Sequence, residues 1–209
     1  MMHARPDADE AELLTRSQNG DVSAFNELVL RYQSSVYNVA LRMLGDADLA
    51  ADITQDTFLA AFRHLANFRG GTAFRSWLLR ITTNLVYDHW RRQRRHPEES
   101  LEAASDEDDP QSPVTLAQLA SADLEANPEL YLLHQELQEL IQRGLAELPP
   151  EQRLAVILCD IEGLSYEEIA AVMQTMLGTV RSRIARGRSR LRAYLARHQE
   201  LLPRPFRSP

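Results

Sequence analysis

Apolar residues fall at spacings of three and four along most of this chain, the period of a helix with one buried face. After Gly20-Asp21, a turn and cap pair, Phe25, Leu28, Val29, Tyr32, Val36, Val39, Ala40 and Met43 form one such stripe and predict a long helix. Gly45 is a good terminator for it, because glycine tolerates the left-handed cap. Asp46 can cap a second helix over 47–65, whose apolar positions Leu49, Ile53, Phe62 and Leu65 alternate with polar ones. Phe68-Arg69-Gly70-Gly71-Thr72 reads as a short loop. A third helix, over 73–95, puts Phe74, Trp77, Leu78, Ile81 and Leu85 on its inner side. It runs out through Trp90-Arg91-Arg92-Gln93-Arg94-Arg95 before Pro97.

Over 98–127 the periodicity is lost. Glu, Asp, Ser, Ala and Pro dominate, too little apolar area to offset the entropy of ordering the chain, so this stretch is expected to be a flexible acidic linker. Helical spacing restarts after Asn127-Pro128 with Leu130, Leu133, Leu137, Leu140 and Ile141, and stops near Leu148-Pro149-Pro150. Proline suits the first turn of a helix, so Pro150 opens the next one, over 151–161, and Gly163 closes it. Ser165 and Glu168 have the spacing of a capping box for a short helix over 166–173. Gln174-Thr175-Met176 make a tight connection to a long arginine-rich helix over 178–198, with Val180, Ile184, Leu191 and Leu195 as its buried stripe. A short helix, a brief turn and a basic second helix make a helix-turn-helix. Strand alternation and solenoid periods are both missing from the pattern. The expected fold is therefore all-α: two small helical domains, 10–97 and 128–198, joined by the linker, with a disordered tail over 199–209.

Composition changes this picture in one respect. The 209 residues, 44% hydrophobic and 25% charged, suit one ordinary domain or two small ones and exclude a collagen-like chain. A formal charge of −7 argues at first against a partner as acidic as DNA. The distribution reverses that argument. Residues 98–129 hold ten acidic residues and no basic one, 63–95 hold eight arginines against one aspartate, and 178–198 hold seven arginines and no acid. Two basic blocks thus flank an acidic one. All 23 basic residues are arginine. Its planar fork matches phosphates and guanine edges, although GC-rich coding bias accounts for the same usage and is the weightier explanation. The single cysteine, Cys159, follows the apolar run 154–158 and is expected to be a buried thiol in a reducing compartment. With no apolar central run near Met1 and no stretch of about eighteen apolar residues, a soluble cytoplasmic protein without membrane insertion is expected. One cysteine and six scattered histidines lack ligand spacing, so neither metal nor cofactor is expected.

Three groups of residues could carry function. On the last helix, Arg181, Arg188 and Arg192 lie outside the buried stripe, while Thr179, Ser182, Arg186 and the N-terminal amides are suited to phosphates or base edges in a major groove. A solvated cationic face would explain the charge alone; the capped helix and turn before it favour DNA. The 63–95 block interleaves its arginines with Phe68, Phe74, Trp77, Tyr87 and Trp90, and rings beside arginines can stack unpaired bases. The spacing of Phe74 and Trp77 marks those two as core; Phe68 and Trp90 stay open. On the second helix Asp52, Gln55, Asp56 and Arg63 form a polar face, which plain solvation explains in full.

Longer runs of sequence carry a resemblance. Ala51-Asp52-Ile53-Thr54-Gln55-Asp56-Thr57-Phe58, Phe68-Arg69-Gly70, Phe74-Arg75-Ser76-Trp77-Leu78 and Arg80-Ile81-Thr82-Thr83-Asn84 resemble the second conserved region of bacterial sigma factors of the extracytoplasmic-function group. Leu148-Pro149-Pro150-Glu151-Gln152-Arg153, Gly163-Leu164-Ser165-Tyr166-Glu167-Glu168-Ile169-Ala170 and Gly178-Thr179-Val180-Arg181-Ser182-Arg183 are similar to the fourth region of the same group. Together they cover 10–198 in the family order. The resemblance implies that Asp52, Gln55, Asp56 and Phe58 dock on the clamp helices of core RNA polymerase. It implies minus-ten promoter contacts at Phe68, Arg80 and Asn84, with His64 at the rim and Trp90 and Arg91 at the basic end of the helix. Asn84 would read a flipped base, a role that suits an amide able to donate and accept at once. Thr179, Arg181, Ser182, Ala185 and Arg186 would meet the minus-thirty-five element. A promoter-specificity subunit without catalytic activity or small-molecule substrate is implied, with core polymerase, promoter DNA as duplex and melted strand, and an anti-sigma protein as partners.

The chain departs from the family in two places. Gln174 and Met176 stand in the helix-turn-helix connection where relatives often have Gly and Pro, and Ala185 stands where some have a larger side chain. An alanine can at most meet a thymine methyl, so minus-thirty-five preference is expected to differ. The resemblance also implies that the linker threads polymerase channels, where its charge could stand in for nucleic acid; a solubilising spacer explains it equally well. Other classes fit less of the chain. A stand-alone repressor leaves Asp52, Gln55 and Phe58 and the aromatic basic block unexplained. An enzyme lacks a nucleophile with a base, and Gly70-Gly71 is too short for a phosphate loop. A helical adaptor leaves both basic blocks unexplained.

Overall fold

Two aspartates set the frame of the N-terminal half. The Asp21 carboxylate accepts from the Ala24 amide at 3.1 Å and Asp46 accepts from the Leu49 amide at 2.9 Å. These caps start helices α2 (Val22–Leu44) and α3 (Ala47–His64). Gly45, at φ 78°, closes α2 by donating to Leu41 O at 2.7 Å, so the chain turns between the two helices in two residues. The computed structural model describes residues 8–70, 73–95 and 128–198, and every regular element among them is helical. The fold is all-α, as the periodicity predicts. Helix α4 (Phe74–Arg95) completes a three-helix packing with α2 and α3. The linker, 98–127, and the tail, 199–209, lie outside the described residues.

Two local expectations need correction. A first helix, α1 (Ala8–Gln18), lies across α2 where the sequence reads as a polar terminus. Its inward face is only Glu10, Leu13 and Ser17, too short a pattern to stand out. The inner side of α4 is also rotated from the expected one. Phe74 and Leu78 are buried, but Leu79, Thr82, Thr83 and Val86 complete the stripe, while Trp77, Ile81 and Leu85 are half-buried at its edge. Threonine can take core positions here because each hydroxyl is satisfied locally: Thr82 donates to Leu78 O at 3.0 Å and Thr83 to Leu79 O at 2.7 Å.

The C-terminal half follows its predicted punctuation. Helix α5 (Pro128–Ala146) leads to α6 (Pro150–Val156), which opens on Pro150 and widens into a π-type turn, Ile157–Ile161. Ser165 and Glu168 form the predicted capping box at the start of α7 (Tyr166–Met173). Gln174 takes the left-handed conformation, φ 49° and ψ 48°, and α8 (Leu177–Arg197) follows. On α8 the buried residues are Val180, Ile184 and Gly187, with Leu191 and Leu195 half-buried. A methyl group on Gly187 would stand 2.6 Å from Val156 Cγ2, so glycine is what lets α6 and α8 meet. Cys159, expected to be buried, is half-buried in the π-type turn, where burial raises its thiol pKa.

The two halves pack together, and one apolar cluster runs through both. Polar groups seal the join. Gln142 on α5 donates to Leu41 O and Arg42 O at 3.4 and 3.3 Å, and Arg153 on α6 donates to Met43 O at 2.6 Å. The orphan carbonyls at the end of α2 are thus capped by the other half. Nearby, Glu162 pairs with Arg75 of α4 and accepts from Ser35 of α2 at 2.5 Å.

Candidate nucleic-acid interface

On α3, Asp52, Gln55 and Asp56 are exposed, as are Arg63 and His64 at its end. Neither Asp52 nor Asp56 has an ion pair among the described residues, so both carboxylates are available to a partner. Phe58 differs. It is 8% exposed and part of the core, so here it supports α3 from beneath and does not stand on the exposed face with the other three. Leu59 and Phe62, each 45% exposed, continue the stripe of Asp52, Gln55 and Asp56 at helical spacing. They give the polar face an apolar end; the sequence pattern counted Phe62 among the apolar positions of this helix and did not single out Leu59.

The 64–70 corner and α4 carry the second group. Phe68 is half-buried among Phe74 and Trp77, ring centroids 5.5 and 5.1 Å away, so its ring shows one side at most. Gln18 holds this corner from α1, its amide donating to Leu65 O at 3.1 Å and Phe68 O at 2.9 Å. That positioning role was not legible in the sequence, because Gln18 and Phe68 are fifty residues apart. Along α4, Arg80 is half-buried, while Asn84 is exposed directly after buried Thr83. Trp90 is half-buried: its ring meets Tyr87 edge-on at 5.6 Å, and the Arg153 guanidinium lies 5.9 Å from its centroid. Arg91 is exposed and pairs with Asp88 one turn back. Burial, then Arg92, lowers the His89 pKa below the ordinary range, so that imidazole is neutral at physiological pH.

On α8 the buried stripe turns Arg181, Ala185 and Arg186 outward and leaves Thr179 and Ser182 half-buried, the Ser182 hydroxyl donating to Thr179 O at 2.9 Å. The arginines divide into two sets. Arg183 and Arg188 pair with Glu151 and Asp160, which ties them to α6 and the π-type turn. Arg181, Arg186, Arg190 and Arg192 have no ion pair among the described residues. Arg188 is exposed, as its spacing places it, but its guanidinium is engaged by Asp160. Met176, at the cap of α8, is 78% exposed.

Tertiary packing brings part of the second and third groups together. Asn84, Trp90 and Arg91 face Thr179, Ser182 and Arg186 across a cleft of about 840 Å³. Arg94 and Arg183 also line it, against Glu151 as the single acid, so the cleft attracts anions. Burial raises the pKa of Tyr87, which keeps this lining phenol neutral. Helix α7 packs against α4, so the turn at Gln174 sits beside Asn84 around a second hollow of about 240 Å³. His64, Phe68, Arg80, Arg181 and Ala185 do not line the cleft, and the α3 face stands apart from it. No cluster of His, Cys, Asp or Glu able to hold a metal occurs among the described residues. No helix among them is long and apolar enough to cross a membrane.

Known proteins share both halves. The family model described as Sigma-70 region 2 matches residues 28–96, and that described as Sigma-70, region 4 matches 138–191. The ECF RNA polymerase sigma factor SigE of Mycolicibacterium smegmatis is 45% identical over 182 residues, which are 86% of this chain and 65% of that protein. This chain thus spans just under two thirds of that relative's length. The RNA polymerase sigma-H factor of Pseudomonas aeruginosa is 39% identical over 86% of this chain and 90% of its own. The ECF RNA polymerase sigma-E factor of Escherichia coli is 40% identical over 84% and 88%. Among solved structures, CnrH in complex with the cytosolic domain of CnrY superposes with a TM-score of 0.63 at 27% identity, covering 91% of this chain and 98% of that one. The sigma factor RpoE of Bartonella quintana, in complex with the anti-sigma factor NepR, gives 0.61 at 27% identity, covering 82% and 96%. Two region models in order and relatives of this identity along nearly the whole chain place it in one family: it belongs to the Sigma-70 family, among the extracytoplasmic-function sigma factors of RNA polymerase.

Proposed function

We propose that this chain binds core RNA polymerase, directs it to promoters through their minus-ten and minus-thirty-five elements, and has no catalytic activity of its own. Asp52, Gln55 and Asp56 contact the polymerase clamp, with Leu59 and Phe62 as the apolar end of that face. Residues 10–97 form the minus-ten unit. There Asn84 reads an unpaired base, Phe68 and Trp90 offer ring surface, and Arg80, Arg91 and His64 meet the backbone. Residues 128–198 form the minus-thirty-five unit, where Arg181 and Arg186 reach base edges and phosphates, Thr179 and Ser182 add hydroxyl contacts, and Ala185 offers a methyl. An anti-sigma protein binds and regulates the chain, a reading supported by the similarity to the Bartonella RpoE, whose structure is a complex with an anti-sigma factor. The site of action is the cell interior, where core polymerase is. The single observation that supports this reading best is that exposed Asn84, Arg181 and Arg186 stand outside the buried stripes of helices in the two matched regions.

Run-off transcription with purified core polymerase on a genomic promoter library tests it. Wild type yields transcripts from promoters sharing two elements, Asp52→Ala/Gln55→Ala abolishes all of them, and Asn84→Ala relaxes or abolishes minus-ten selection. A footprint by the protein alone, with no polymerase-dependent transcript, would make it a repressor instead.

A further inference from the structure

We infer that Gln18 is a positioning residue for minus-ten selection: from α1 it fixes the 64–70 corner in which Phe68 stands, and so sets how sharply the chain tells one minus-ten base from another. That this corner meets promoter DNA rests on the reading above; the brace rests on geometry. The corner needs an outside hold. After Leu65–Asn67, a single 3-10 turn, Phe68 takes an extended backbone, φ −73° and ψ 111°, and the helical ladder ends. Its amide still donates to Leu65 O at 3.0 Å, but among the described residues no main-chain amide donates to Phe68 O. Gln18 Nε2 supplies that donor at 2.9 Å and reaches Leu65 O at 3.1 Å. One side-chain amide thus spans both ends of the turn, its two hydrogens matching the two carbonyls. Ala66, Asn67, Arg69 and Gly70 are exposed, so buried Leu65 and the half-buried Phe68 ring are what packing gives the corner.

Gln18 is itself held in place. Arg16 pairs with Asp21, the cap of α2, through Nε at 2.9 Å and Nη2 at 2.7 Å, which pins the last turn of α1 to the first turn of α2. Near the start of α1, Glu10 is buried and accepts from the Tyr32 hydroxyl. The Tyr32 ring meets Phe74 edge-on at 5.7 Å, and Phe74 meets Phe68 at 5.5 Å. Helix α1 therefore grips Phe68 twice, at its main-chain oxygen through Gln18 and at its ring through Tyr32 and Phe74. A pocket that reads a base discriminates only if its walls hold still, since a wall that yields admits the wrong base at little cost. Gln18 lies outside the proposed polymerase and promoter contacts, so it can be changed without touching them.

Gln18→Glu and Gln18→Lys in the full-length chain test the brace. Glutamate keeps the shape of glutamine but puts an oxygen where the donor was, which repels both carbonyls, whereas the lysine ammonium still donates. Two readouts are compared with wild type. Hydrogen exchange on the free chain follows the Phe68 amide. Run-off transcription with core polymerase follows promoters that differ by one base in the minus-ten element, with single-base minus-thirty-five changes as the internal reference. In Gln18→Glu the Phe68 amide is expected to exchange roughly fivefold faster, and the preference for the best minus-ten base to fall roughly fivefold, the worth of about one hydrogen bond. Minus-thirty-five preference stays as in wild type, and Gln18→Lys keeps the wild-type value of both readouts. A chain that is merely destabilised loses transcription from all promoters alike and leaves the minus-ten ratio unchanged, a result that would overturn the positioning role. Unchanged exchange at Phe68 would overturn the brace, and so would Gln18→Lys behaving as Gln18→Glu does. If wild-type holoenzyme yields no promoter-dependent transcript, the promoter reading fails and takes minus-ten selection with it, while the exchange arm still decides the brace.

Discussion

Arg153 Nη1 donates to the main-chain oxygen of Met43 at 2.6 Å while Arg153 Nη2 donates to that of Ala146 at 2.6 Å, so one guanidinium closes the C-terminal ends of α2 and α5 together. A helix C-terminus carries partial negative charge, and two of them converge on this cation. Burial lowers the pKa of Arg153, yet a guanidinium stays charged. Lysine has the charge without the fork. Arg153→Lys is expected to lose one of the two caps and about 1–2 kcal/mol of stability, measured by urea unfolding. Unchanged stability would mean that water caps the abandoned carbonyl equally well.

Gly187 sets the approach of α8 to α6. Its would-be methyl stands 2.6 Å from Val156 Cγ2 and 3.1 Å from Gln152 O, and main-chain oxygen cannot swing aside. Alanine gains about 1 kcal/mol of helix propensity but overpacks the contact by roughly 1–3 kcal/mol. Gly187→Ala is therefore expected to lower the unfolding midpoint. Gly178→Ala, with nothing within 4 Å, is the control and should not lower it.

Gln174 occupies the left-handed region with an L side chain, which glycine enters freely. Gln174→Gly is expected to raise stability by about 0.5–1 kcal/mol, read as a higher melting temperature with transcription retained. A lower melting temperature would show that the Gln174 side chain makes compensating contacts.

Tyr32 gives a pH signature. Burial raises its phenol pKa, and its hydrogen bond to Glu10 raises it further. A raised pKa favours the neutral form in the fold, so this contribution is whole below the range of a free tyrosine and is lost as pH climbs through the folded value. Alkaline titration of tyrosinate absorbance should show one more late-ionising group in wild type than in Tyr32→Phe. Glu10→Gln removes the neighbouring charge and should bring the Tyr32 ionisation to lower pH.

Local rules carried a long way here. The starts of α2 and α3 at Asp21 and Asp46, the end at Gly45, and the box at Ser165 and Glu168 are each set within four residues and stand where periodicity and capping put them. The outward turn of Asp52, Gln55, Asp56, Arg181 and Arg186 was equally legible, because helical phase fixes which residues share a face, whereas Asn84 was singled out only by the family resemblance. Reading failed where a partner element decides. Phe58 and Phe62 are four residues apart on α3, yet one is core and the other 45% exposed although its ring meets that of Phe25 on α2 edge-on at 5.0 Å, a difference set by the partner helices and not by local spacing. Helix α1 and the grip of Gln18 on Phe68 O depend on contacts tens of residues distant.

By itself, the sequence determined the helices other than α1, their caps, the opposed charges of the blocks and the family, since each is written in short spacings or runs. Tertiary structure alone decided that the halves close on each other, with Glu162 against Arg75 and Arg153 over the end of α2. Those pairs lie 87 and 110 residues apart, and no local pattern selects among the many arginines and acids that could have met. Only the packing of apolar faces, which is not directional until the helices are assembled, brings these particular ones together.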